Sequence, residues 1–491
     1  MTRDKTLVGE ASSPAPYDPP DAPEPATEHR GADVASTGLG RRFGPFALVL
    51  LVVLTGVTLL LGYANKARCV GPLFDESGRS QPDYDIRHDR DVCYSDIQHL
   101  WLGRDIDRHV FPYVDGGITD DGVLFGGSLE YPVLTGALIW AAAAFATNDG
   151  SFLLLSALVM LPFGLLTGWL LGRLSGWRAL WWALGPPLVL YAFHNWDLPV
   201  VACSVGAVYA VHRWRSHSLA LRGVAASALL GLGCAFKLYP GAFVLPLACH
   251  VLTRGGRSDE LDEQGRKLGL DWAGAGAVLA TAAGVVLLAN LPFMVAGYQG
   301  WRASFTFQSI RKVDVTTNSI WYWGFRPESD PENLAFQSTV DWVSPTLVLL
   351  SFAVAVTAGF WRYRHVGYYP WVGVSAAMLC GFLLLHKVHS PQYALWLLPF
   401  FVLLRIRWGW IVAYLLADLA MGVGIFRWFY AIKTGVGYDI LNGLSAQAVM
   451  IGVWGRAALL VALFVLFLRA EPAFPLAREQ APQTQPQFVP A

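Results

Sequence analysis

The chain has 491 residues, a formal net charge of zero, 54% hydrophobic and 15% charged residues, and a mean hydropathy of +0.41. A soluble domain carries about 25% charge, so this composition excludes a water-soluble body of this size. The absence of net positive charge argues against a nucleic-acid partner, which needs a basic field.

Residues 1–42 are rich in Pro, Ala, Ser, Asp and Glu and have no hydrophobic run. They predict a disordered cytoplasmic tail with no secretory signal peptide. Apolar runs follow at 43–62, 152–172, 179–195, 198–212, 223–237, 239–252 and 272–296, then at 342–361, 369–386, 392–404, 408–427 and 446–468. Measured against the about 20 residues of a bilayer crossing, with shorter ones tolerated when tilted or buried, these predict twelve spans. The stretch 469–491, with its Pro- and Gln-rich end, predicts a second disordered cytoplasmic tail.

A thirteenth run, 131–147, is settled by charge. Arg41 and Arg42 place the N-terminus inside by the positive-inside rule. Basic connections recur at Arg173/Arg178, Arg213/Arg215/Arg222 and Arg254–Lys267, and at Arg362/Arg364, Arg405/Arg407 and Arg469. All six fall inside if 131–147 is a juxtamembrane or re-entrant helix, and outside if it crosses. The expected architecture is therefore an all-α polytopic plasma-membrane protein of about twelve spans with both ends cytoplasmic. The membrane-spanning body covers 43–468, and a long first extracytoplasmic loop covers 63–151.

The outer connections hold the chemistry-bearing residues. The first loop contains Cys93-Tyr94-Ser95-Asp96 and ends at Glu130-Tyr131-Pro132. Asn195-Trp196-Asp197 occupies a helix–helix turn, where Asp197 reads equally as an N-cap. Lys237, in Phe236-Lys237-Leu238-Tyr239-Pro240, sits at a membrane boundary and reads as a snorkelling lysine or an anion ligand. His386-Lys387-Val388-His389-Ser390-Pro391-Gln392-Tyr393 places three cationic candidates between two apolar runs. Carboxylates and cations on one face suit a base that activates a hydroxyl beside cations that stabilise a phosphate leaving group. Cys203, Cys234, Cys249 and Cys380 lie in apolar runs as packing residues, whereas Cys69 and Cys93 share the first loop and are candidates for a disulfide. No P-loop, Cys-rich cluster or His-Glu-x-x-His motif is present in the sequence, so no metal or cofactor is expected.

In their order and shared sidedness, these motifs resemble the GT-C superfamily of membrane glycosyltransferases, and within it glycosyltransferase family 87. That family includes actinobacterial polyprenol-phosphate-mannose-dependent α-mannosyltransferases. The resemblance covers roughly 43–468. It implies an inverting transfer of one sugar, mannose first, from a polyprenyl-phosphate donor to a cell-envelope glycolipid or polysaccharide at the outer face. It also implies Asp96 as general base, with Lys237, His386, Lys387 and His389 as phosphate ligands. Glu130, Asp197 and Gln392 are then expected to position sugar or acceptor. Asp89 and Asp91 are rivals to Asp96 that lie in no motif. Two other readings stay open: a polyprenyl-phosphate-arabinose-dependent arabinofuranosyltransferase and, from another class, a lipid or glycan transporter or flippase. The transporter reading expects matched repeats and a midplane site, and the chain shows neither.

Overall fold

The computed structural model describes residues 43–261 and 264–475. The tail expected over 1–42 lies outside them, as does 476–491. Among the described residues the chain is mostly helical, and its strands are two short antiparallel hairpins in the first long loop, Leu73–Phe74 with Ser80–Gln81 and Gly117–Ile118 with Leu124–Phe125.

Seven helical stretches are long and apolar enough to cross a membrane: Pro45–Ala67, Asp149–Ala183, Leu219–Phe236, Trp272–Ala296, Leu334–Val366, Trp408–Thr434 and Leu444–Arg469. Shorter apolar helices lie between them, including Val133–Ala143, Leu198–Arg213 and Trp371–Leu385. The expected spans therefore fall into two kinds. Long helices such as Trp272–Ala296 expose much of their surface, including Leu288 and Val295, as lipid-facing helices do. Short ones sit inside: every residue of Ala394–Leu403 is buried.

Two expectations are corrected. The run 179–195 is not one helix, because Gly185-Pro186-Pro187 interrupts it and leaves Leu180–Ala183 and Pro186–Tyr191 as separate short helices. A proline removes a backbone donor and clashes with the preceding turn, so it starts helices rather than continuing them. Residues 471–474, expected in the C-terminal tail, are instead placed against the helical body. Arg405 N–H donates to Glu471 O and Ala473 N–H to Leu403 O, each at 2.8 Å. These bonds lay residues 471–474 along the end of the Ala394–Leu403 helix and bury Phe474 against His212, ring centroids 4.5 Å apart.

Cross-contacts sort the connections onto two ends. At one end, an Arg178 N–H donates to Leu404 O at 2.7 Å, and Arg213 donates to Arg173 O. Ser258 Oγ meets Tyr363 OH at 2.8 Å, and Arg362 reaches Arg469 O at 3.3 Å. The basic connections thus share an end. At the other, the first long loop meets the 194–197 turn, the 311–319 segment meets the 386–393 turn, and Lys433 reaches Asp89 at 2.6 Å. Residues 131–147 contribute one 11-residue helix, Val133–Ala143, which rises only about 16 Å.

Candidate functional site

The site is assembled where the first long loop docks onto the Phe193–Asp197 turn. Asp96 N–H donates to His194 O at 2.8 Å. One residue earlier, Ser95 Oγ–H donates to Phe193 O at 2.7 Å. The segment is held from the other side as well. Buried Lys66, at the end of the Pro45–Ala67 helix, donates to Tyr94 O at 2.7 Å. Cys69 is disulfide-bonded to Cys93, with Cα atoms 5.9 Å apart. The Tyr94 ring stacks on Phe426 of the Trp408–Thr434 helix at 5.4 Å. Asp96 is thus pinned to the helical body by a covalent bond, a buried cation and two backbone contacts.

Its carboxylate stays accessible, with the side chain 23% exposed. Asn195 Nδ2 donates to Asp96 Oδ2 at 2.7 Å and to Tyr131 OH at 3.0 Å. Asn195 Oδ1 accepts from Trp196 N–H at 2.7 Å and from Lys237 Nζ at 3.2 Å. All four positions of this amide are used, which fixes its orientation: a flipped amide would set oxygen against carboxylate and N–H against ammonium. His194 Nε2 lies 4.0 Å from Asp96, but burial holds its imidazole down to about 3 even against the Asp96 charge. His194 is therefore neutral near pH 7, and this contact is no ion pair. Burial, then the Asp96 charge, keeps the Tyr94 and Tyr131 phenols well above their ordinary range.

The network continues inward. Lys237 Nζ donates to Asp197 Oδ1 at 2.6 Å, and Trp396 Nε1–H donates to the same oxygen at 2.7 Å. Asp197 is fully buried and stands at the N-cap position of Leu198–Arg213, yet makes no capping bond. The lysine claims it instead. Trp396 stacks on Tyr239 at 4.3 Å and on Tyr393 at 3.8 Å, and the Tyr393 ring lies 5.6 Å from His389.

The 386–393 turn is covered by the long connection before it. Backbone His389 N–H donates to Thr317 O, and Trp321 Nε1–H to Leu385 O. His389 is buried; its Nδ1 faces Leu383 O at 3.0 Å and its Nε2 faces Arg456 Nη1 at 2.6 Å. Burial first and the Arg456 charge second keep this imidazole well below its ordinary value. A neutral tautomer with Nδ1–H on Leu383 O and Nε2 accepting from Arg456 satisfies both contacts. His386 makes a local contact with Val388 O at 2.9 Å, and Lys387 pairs with Asp341 at 2.6 Å.

Of the expected site residues, Asp96, Asp197 and Lys237 thus join one network through Asn195, and His389 lies beside it across Tyr393 and Trp396. Lys237 and Lys387 already hold carboxylates. Glu130 pairs with Arg104 at 2.9 Å, and Gln392 is buried with Oε1 lacking a partner. Sequence reasoning missed Asn195 as the connecting group, and also Trp396, Lys66 and Arg456. It further missed Arg311, whose charge is felt at His386 and Tyr393. Arg456 and Asp418 did carry a signal: each is an ionisable residue inside an apolar run, a default functional candidate.

The chain is a helical, multi-pass membrane protein with a carboxylate-centred polar network at one end. The model of glycosyltransferase family 87 matches residues 130–387, more than half of the chain, and the chain belongs to that family. The match includes Glu130, Asn195, Asp197, Lys237 and Lys387, while Asp96, His389 and Arg456 lie outside it. Among solved structures, the chain is similar to the apo oligosaccharyltransferase of Archaeoglobus fulgidus, at 13% identity and a TM-score of 0.34. That likeness covers 90% of this chain and 59% of the other, so the chain spans less than two thirds of its length. No curated protein matches.

Proposed function

We propose that the protein is an inverting GT-C-type glycosyltransferase that moves a sugar, mannose first, from a polyprenyl-phosphate donor to a hydroxyl of a cell-envelope glycolipid or polysaccharide. The observation that carries this reading is the setting of Asp96: an accessible carboxylate, rigidly held, with a neutral histidine and an asparagine N–H as its neighbours.

In this mechanism the acceptor oxygen attacks the anomeric carbon as Asp96 takes the hydroxyl proton. The bond between anomeric carbon and phosphate oxygen breaks on the opposite face, and polyprenyl monophosphate leaves. A phosphate is already a competent leaving group when cations stabilise it, so one carboxylate suffices, unlike the pair used by most glycoside hydrolases. The Lys237–Asp197 pair holds Asn195, and Asn195 orients Asp96. Glu130, paired with Arg104, and buried Gln392 are the groups assigned to sugar or acceptor positioning. The 386–393 turn and the nearby arginines supply the phosphate end.

The twelve-crossing topology belongs to the same reading. The end that gathers the basic connections is cytoplasmic by the positive-inside rule, so the Asp96 end faces the extracytoplasmic side. A Cys69–Cys93 disulfide suits that compartment. Incubating the purified protein with polyprenyl-phosphate-mannose, and separately with polyprenyl-phosphate-arabinose, against membrane glycolipid acceptors tests the function. Mannosyl product supports the proposal; arabinosyl product alone moves the sugar, and product from neither donor contradicts it.

A further inference from the structure

Arg456 lies in the middle of the apolar Leu444–Arg469 helix and is 2% exposed. Its Nη1 donates to His389 Nε2, and the carboxylate of Asp418 approaches only to 3.8 Å. Neither Asp418 Oδ1 nor Arg456 Nε makes a hydrogen bond. Beside Arg456, Ser319 Oγ and Asn318 Oδ1 are buried and also without partners. Asn318, Ser319, His389 and Arg456 line one small cleft, closed on its apolar side by Leu383 and Leu460. A buried polar atom left unpaired is destabilising, and an arginine held off its counter-ion more so. Such a concentration of unmade bonds marks a place where a ligand completes them.

The chemistry of that ligand follows from the donors. A guanidinium with a free N–H and a hydroxyl with a free O–H call for an acceptor-rich anion, and the guanidinium fork matches phosphate geometry. We propose that Arg456 and Ser319 bind the phosphate of the lipid-linked donor, and that His389 orients Arg456 rather than touching the phosphate itself. This rests on the lipid-phosphate donor proposed above and deepens it. Lys237 and Lys387, the lysines the sequence assigned to this task, already hold Asp197 and Asp341. His389 also has both ring nitrogens engaged, whereas Arg456, bonded to His389 and through Nη2 to Asn318 O at 3.4 Å, keeps its Nε–H unused. The cleft adjoins the rest of the site, since the Tyr393 ring lies between His389 and Trp396, and Trp396 shares Asp197 with Lys237.

The test is binding of polyprenyl monophosphate, the leaving group, to full-length protein in nanodiscs, with inorganic phosphate as a second arm. Ser319→Ala is the deciding variant. Its hydroxyl makes no bond in the free protein, so its loss does not lower the unfolding temperature. It should nonetheless weaken polyprenyl monophosphate binding roughly tenfold, as expected for a hydrogen bond to a charged group. Arg456→Gln should weaken it further, and Asp96→Asn should leave it intact. Wild-type affinity in Ser319→Ala overturns the site while leaving the donor class standing. Failure of the wild type to bind the lipid phosphate overturns both. Ser319-dependent binding of inorganic phosphate as tight as that of the lipid would assign the cleft to free phosphate and overturn its role in donor binding.

Discussion

Asn195 donates to Asp96 across 2.7 Å while the oxygen of the same amide accepts from Lys237 at 3.2 Å. One neutral side chain therefore stands between a partly buried ammonium and an accessible carboxylate, and fixes the position of each.

Replacing that amide tests the relationship. Asn195→Asp sets a second carboxylate against Asp96, and two like charges at this separation raise one of their pKa values. The base is then protonated at higher pH than in the wild type, so the acid limb of the pH–rate profile should move upward. His194 is held at about 3 and does not titrate in that range. An unmoved acid limb would separate Asn195 from the base.

Lys237 is predicted to be a structural cation for Asp197. Lys237→Met leaves a fully buried carboxylate with Trp396 as its remaining donor, a loss of about 3–5 kcal/mol. Lys237→Met combined with Asp197→Leu removes both charges and should recover much of that stability. Chemical unfolding in detergent measures it; a Lys237→Met protein as stable as the wild type would remove the ion pair from the account.

The disulfide holds the segment that carries Asp96. It closes a loop with a sequence separation of 24, for which chain entropy gives about 3 kcal/mol. Cys69→Ser or Cys93→Ser should lower the unfolding transition and slow transfer together, because Cys93 is three residues before Asp96. Mass spectrometry of the non-reduced protein should find the two cysteines joined, and two free thiols would contradict this.

Much of this was legible in the sequence because helices bury apolar stripes and leave their turns polar. The motifs around Asp96, Asn195, Asp197, Lys237 and His389 announced themselves as polar breaks between apolar runs, and the structure gathers them at one end. What each side chain does there was not legible. A lysine at a membrane boundary looks the same whether it faces a lipid phosphate or a buried aspartate, and only the fold brings Lys237 to Asp197, 40 residues before it. The helix break at Pro186-Pro187 was written in the chain, but hydropathy alone reads through it.

Sidedness has its own test. Single cysteines placed at Asp121, in the first long loop, and at Gly265, in the connection between Leu252 and Trp272, should react with membrane-impermeant reagents from opposite faces. Asp121 should label from the extracytoplasmic side. Labelling of Asp121 from the cytoplasm alone would invert the topology and the placement of the active face.

The most direct measurement is the transfer rate of Asp96→Asn with polyprenyl-phosphate-mannose and a glycolipid acceptor. The substitution keeps the size of the side chain and an oxygen for Asn195 to bond, and removes the base. General-base catalysis contributes about 10²–10⁴-fold, so the variant should lose at least that much in rate while unfolding at the wild-type temperature and still binding polyprenyl monophosphate. A variant that transfers sugar at near-wild-type rate would contradict the account and move the base elsewhere, with Glu130 the next carboxylate to test.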